Sequence, residues 1–188
     1  MSLSDSADKA FSGAVAEIAA IAVVVIVALG LFVRLDANMT VRKVRDSLTA
    51  QHPGGAFLVQ KTSRMQSDLK SLKPDLYRSG WSRWSTAMVI TVGADAFTIW
   101  DHDHGQPLKV LNIPWASVMA IKIDRAGVGA RWMDAVVTRM HSGPIKIDLV
   151  FPPVTVKRGM LMPAEPAQAQ TMAALFASHV ETPKEQTA

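Results

Sequence analysis

AVAEIAAIAVVVIVALGLFV, residues 14–33, is apolar all round and carries one ionisable side chain, Glu17. From Ile18 to Val33 sixteen consecutive residues are uncharged. Helix rises about 1.5 Å per residue, so twenty residues cover the roughly 30 Å hydrocarbon layer of a bilayer. The β-branched run Val23-Val24-Val25-Ile26-Val27 would lean towards strand in water. In lipid an unpaired backbone amide costs several kcal/mol, so a lone segment has to be helical. A transmembrane helix over residues 14–35 is therefore expected, with residues 1–13 as a short N-terminus on the far side. Asp5 and Asp8 before the run, against a single Lys9, argue against a cleaved signal peptide.

Orientation follows from the flanking cations. Only Lys9 precedes the segment, whereas Arg34, Arg42, Lys43 and Arg45 follow it closely. The positive-inside bias leaves the larger C-terminal part in the cytoplasm, at the inner (plasma) membrane. Arg42, Lys43 and Arg45 would also face an anionic leaflet, each contributing on the order of 1 kcal/mol. Ser12, Ala16 and Ala20 make a small-residue stripe through which two helices could meet as a homodimer.

Residues 36–55 read as a juxtamembrane linker: a continuation of the helix, or a second short one near the membrane surface. Val41, Val44 and Leu48 fall three and four apart, and His52-Pro53-Gly54-Gly55 breaks the pattern. Beyond it the period changes to two. Strands are expected over residues 56–61, 86–92, 96–100, 108–113, 118–124, 132–140 and 145–151, with a helix over 63–72. Met119, Ile121 and Ile123 alternate with Ala120, Lys122 and Asp124, which marks a sheet with one buried and one wet face. Pro152 and Pro153 are expected to stop the sheet. A helix over 165–180 follows, with Met172, Leu175, Phe176 and Val180 on one stripe, and a disordered tail over 181–188. Short connections leave no room for parallel crossovers, so the class is mainly β (α+β): a seven-stranded antiparallel barrel or sandwich capped by a C-terminal helix.

The hairpin AMVITVGADAFTIW at 87–100, the segment LKVLNIPWASVMAIKI at 108–123, the hairpin AVVTRMHSGPIKIDLVF at 135–151 and the closing helix resemble the bacterial membrane-anchored PH-like (bPH or GRAM-like) domains. Ile113-Pro114-Trp115, leading through Ser117 into an alternating strand, is similar to a recurrent phrase of that family. The resemblance covers residues 56–180 and implies a binding scaffold without a catalytic signature. The helix at 63–72 and the segment holding Trp81 and Trp84 depart from a minimal version. Fold alone does not supply the ligand.

Composition narrows the function further. The 188 residues carry a formal net charge of +4 and no Cys, which excludes disulfide scaffolds, thiolate zinc sites and cysteine nucleophiles. Residues 1–50 hold five basic and five acidic side chains, and residues 51–188 hold fifteen and eleven. So mild an excess does not make the dense basic stripe that nucleic acid requires.

Three clusters stand out as candidate sites. Asp101-His102-Asp103-His104 carries metal-capable groups, but strand neighbours point opposite ways, and the residues read as a solvated hairpin loop. Arg125 to Arg131 reads as a flexible turn whose two basic ends and backbone amides could hold an anion. Arg78, Trp81, Arg83 and Trp84 interleave cations with rings suited either to a membrane interface or to the core. No nucleophile elbow, P-loop or HExxH motif occurs, so neither a catalytic residue, a cofactor nor a metal is assigned. The sequence reads as a membrane protein presenting a cytoplasmic interaction module for a protein partner or anionic headgroups. The alternatives are an extracytoplasmic envelope protein of the same fold, and an enzyme or metal-binding protein using the loop from Asp101 to His104.

Overall fold

The structure, a computed structural model, describes residues 3–52, 55–73, 86–103, 105–128 and 131–180. It opens with one unbroken helix, α1 (Leu3–Gln51), of 49 residues, roughly 70 Å long at 1.5 Å per residue. No Gly or Pro falls between Leu31 and Gln51, so nothing interrupts the backbone ladder where the side chains turn polar. From Val15 to Arg34 every residue of α1 is exposed, Ile18 and Phe32 to more than two thirds. This part is long and apolar enough to cross a membrane.

Among the described residues nine strands follow, in three antiparallel sheets. The first sheet orders β1 (Ala56–Gln60), β2 (Ala87–Val92), β3 (Ala96–Asp103) and β4 (Gln106–Pro114) side by side. The second orders β5 (Val118–Val128), β6 (Arg131–Ser142) and β7 (Ile145–Phe151), and β8 (Val154–Lys157) pairs with β9 (Met160–Pro163). Two more α-helices, α2 (Ser63–Leu72) and α3 (Pro166–Val180), and a 3-10 turn at Trp115–Ser117 between β4 and β5 complete the described order of elements. Thr62 caps α2 by accepting a hydrogen bond from the Met65 amide at 3.1 Å. Pro166 opens α3, where a missing N–H costs nothing.

The inner faces of the first two sheets share one core. Phe57, Val59, Met88, Ile90, Phe97 and Ile99 meet Val136, Met140, Leu149 and Phe151, and α3 adds Met172 and Phe176. Phe97 lies at its centre, 5.1 Å from the Phe176 ring and 5.2 Å from Trp115. Trp115 is anchored at both ends: its indole N–H donates to the Gly93 carbonyl at 2.9 Å, and His179 stacks on it at 4.9 Å. The Ile-Pro-Trp phrase thus places an aromatic wedge between the sheets and the closing helix.

Three expectations are corrected. The barrel or sandwich of seven strands is replaced by nine strands in three sheets. Pro152 and Pro153 end the pairing of β7 without ending the β structure. Gln60 N–H donates to the Pro152 carbonyl at 2.9 Å and Val59 bridges Pro153, so the chain runs on beside β1 into the β8–β9 hairpin. Second, of the two readings of residues 36–51, the continuation of the first helix holds and the separate short helix does not. Ala37, Val41, Val44 and Leu48 are buried, and the last three share a second core with Leu58, Ala87, Val89, Val154 and Val156 on the outer face of the first sheet. β2 is consequently buried on both faces over its first five residues. Third, residues 125–128 and Arg131 are not a loose turn: β5 continues to Val128 and pairs it with Arg131, while Gly129 and Ala130 lie outside the described residues.

The β8–β9 connection is a two-residue turn with Arg158 at φ 51° and Gly159 at φ 76°, the left-handed pair that a tight hairpin demands. Gly159 is also pressed on α1. A Cβ there would stand 3.1 Å from Leu35, and the Gly159 carbonyl accepts from the Asn38 side chain at 3.0 Å.

Candidate functional site

A cleft of about 600 Å³ opens on the outer face of the second sheet, walled by the corner between β1 and α2. That volume falls in the range of small-molecule and peptide pockets. Strand alternation builds the floor, because Val137 and Val150 are register partners on the face opposite Val136 and Phe151. Lys122 and Asp124 of β5 and Asp148 of β7 share that face, Arg64 of α2 faces them, and Trp132, 68% exposed, closes one end. The Trp132 ring lies 3.9 Å from where a Cβ on Gly127 would stand, so the glycine gives the indole its seat.

Most of the cleft's charges are held in ion pairs, within the cleft or just outside it. Lys122 meets Asp124 at 2.6 Å, and this bond keeps the Asp124 carboxyl below its usual range. Arg139 grips Asp148 with two bonds of 2.8 and 3.0 Å and lowers that carboxyl likewise. Arg125 lines the same cleft, opposite Asp134 in the strand register. Arg131, the other basic end of the segment, pairs with Val128 and is not among the residues that line this cleft.

Behind the cleft wall is a buried ion pair. Lys61 Nζ lies 2.6 Å from Asp101 Oδ2, with side-chain exposures of 2% and 0%. Burial pushes the Lys61 ammonium down and the Asp101 carboxyl up from their ordinary values, and their attraction opposes both shifts. Asp101 also accepts from the His102 backbone amide at 2.9 Å.

The expected solvated loop at Asp101 to His104 is accordingly overturned for its first half. β3 runs through Asp103, and Asp101 and His102 are buried at 1% and 9% exposure. Only Asp103 is exposed, and His104 lies outside the described residues. Asp36 of α1 is among the charges that act on His102. Among the described residues no three metal-capable side chains come together.

Neither ring nitrogen of His102 has a hydrogen-bond partner among the described residues. Burial is the largest influence on this imidazole and lowers its pKa, favouring the neutral ring. A depressed folded-state value contributes stability above the unfolded pKa of about 6.5, lost as the pH falls from there towards the folded value. Urea unfolding of wild type and His102→Leu is therefore expected to give curves that diverge below about pH 6.5, the wild type losing more. Asp101, shifted up, acts with the opposite sign but in both proteins. A stability difference constant across that window would contradict a neutral buried ring.

Arg42 and Lys43 of α1 are exposed and Arg45 is half-buried. Arg42 reaches Asp46 at 3.9 Å, and Arg45 bonds the same carboxylate through Nε at 2.9 Å. Arg78, Trp81, Arg83 and Trp84 lie outside the described residues. Sequence reasoning missed Lys61 and the cleft floor, although Lys61 sits on the parity of Phe57 and Val59. That parity was the available sign that its ammonium would turn inward.

No protein-family model matches this chain, and no curated protein matches it in sequence.

Proposed function

We propose that this protein is a single-pass membrane protein whose β domain, PH-like and held on the cytoplasmic side, binds a partner protein at the inner membrane and performs no catalysis. One observation carries the reading. A single helix is an exposed apolar rod in its first part and a packed member of the β domain in its second. A flexible tether would let the domain tumble. A continuous helix instead holds the cleft at a set height and angle to the membrane and raises its effective concentration against neighbours there. The cleft has the make-up of a recognition surface, with an apolar floor, a polar rim and an exposed tryptophan, a residue type enriched at binding hot spots. Orientation rests on Arg34, Arg42, Lys43 and Arg45.

A photo-activated cross-linking side chain at Ala126, in the full-length chain expressed in cells, tests this. Discrete protein adducts are expected there, lost on Trp132→Ala, and absent when the same side chain replaces Ser178 on the far helix. No adduct at Ala126, or equal adducts at both positions, would contradict a partner-binding cleft. A reporter joined to residue 188 and active only outside the cytoplasm would contradict the orientation.

A further inference from the structure

Where α1 leaves its apolar run, the tip of the β8–β9 hairpin closes on it and leaves a groove of about 380 Å³. Phe32, Leu35 and Met39 form its apolar wall, Arg42 and Arg158 its cationic edges, and Asp36 its one carboxylate. Lys157 and Met160, both exposed, flank Arg158 on the hairpin.

Height relative to the bilayer comes from the helix itself. Leu35, which contacts the turn, lies about 3 Å beyond Val33, and Arg42 about 13 Å beyond it. Arg42 lines the far end of the groove, where it shares the Asp46 carboxylate with Arg45. The Arg158 turn, packed on Leu35, then stands at headgroup depth with Arg42 on its outer side, while Phe32 and Leu35 continue the apolar surface of the span. The turn adds a second, independent sign. Its first left-handed position holds arginine, where asparagine before Gly159 would suit a two-residue hairpin best. A residue kept in an unfavourable conformation points to a role other than making the turn.

We propose that this groove binds one anionic phospholipid from the leaflet on the domain's side, its phosphate between Arg158 and Arg42 and its first acyl carbons on Phe32, Leu35 and Met39. The proposal rests on α1 spanning the bilayer. Four cations, Arg42, Arg45, Lys157 and Arg158, against Asp36 and the Asp46 carboxylate that Arg42 shares with Arg45, leave a positive balance that a zwitterionic lipid would not match. The bound lipid fastens the hairpin to the leaflet and so adds a second attachment beside the helix.

The test uses the full-length chain in vesicles of phosphatidylcholine mixed with phosphatidylglycerol, followed by gentle detergent extraction and native mass spectrometry of retained lipid. Retention is expected to favour phosphatidylglycerol about fivefold for each basic contact. Arg158→Asn is expected to lose that preference while raising the melting temperature, since asparagine improves the turn; loss of folding alone could not produce both effects. Arg42→Gln should lower the preference without raising the melting temperature. Equal retention of the two lipids by the wild type, or a preference unchanged in both variants, would overturn the groove. Release of the chain from the vesicles by alkaline carbonate would instead overturn the membrane-spanning reading beneath it.

Discussion

A chain that begins at residue 56 is expected to fail to fold, whereas one that begins at residue 36 should fold and stay in solution. The longer piece keeps Val41, Val44 and Leu48, each no more than 2% exposed, on the outer face of the first sheet. Burying a side chain of that size stabilises by about 1.5–3 kcal/mol, so the three supply about 5–9 kcal/mol. That is comparable to the whole stability of an ordinary domain, about 5–15 kcal/mol. The loss would not stop there. Leu58, Ala87, Val89, Val154 and Val156 would be uncovered together, an apolar surface that favours aggregation. Circular dichroism and size-exclusion chromatography of the two pieces are the check. A folded, monomeric piece from residue 56 onwards would mean that α1 is only a tether, and the fixed geometry on which the cleft's placement depends would fall with it.

The second large effect is expected at the buried ion pair. Lys61→Met should destabilise the domain by about 3–5 kcal/mol, because it strands the Asp101 carboxylate without its countercharge. Asp101→Leu should cost a similar amount for the converse reason. The double substitution is expected to recover most of the loss, since an apolar pair of similar volume removes both desolvation penalties. Urea unfolding of the chain from residue 36 gives all three values in one double-mutant cycle. The pH dependence has a definite sign. A raised Asp101 pKa contributes stability below its ordinary value, lost as the pH rises through the folded value. A depressed Lys61 pKa contributes stability above its ordinary value, lost as the pH falls through the folded value. The pair therefore contributes least in the neutral window between those limits, and the double variant should show its largest relative gain there. Additive single effects, with no recovery in the double variant, would mean that the two side chains act separately.

Much of the β domain was legible along the chain. Alternation marked seven of the nine strands and both short helices, because strand and helix periods are local and survive in one dimension. The β8–β9 hairpin was missed for a physical reason: its strands are four residues each, and its turn is Arg-Gly, not Asn-Gly or Asp-Gly. Asp101 and His102 were misjudged because Asp and His are ordinary loop residues. Only the approach of Lys61, forty positions away, provides the countercharge that makes a buried aspartate tolerable.

Residues 14–33 needed no neighbour to declare themselves, since the length and apolarity of a single helix are set by the chain alone and lipid length scales do the rest. The stripe at residues 37–48 is different: the same spacing would serve on a bilayer surface or on a sheet, and the choice was made by Leu58, Val89 and Val156 offering a complementary face. Likewise the groove beside Leu35 and Met39 needs the β8–β9 turn brought to α1, where the Gly159 carbonyl accepts from Asn38, 121 positions away. Periodicity tells a segment what shape to take and which side is apolar; which surface receives that side is a property of packing, where residues far apart in the chain compete for the same buried space.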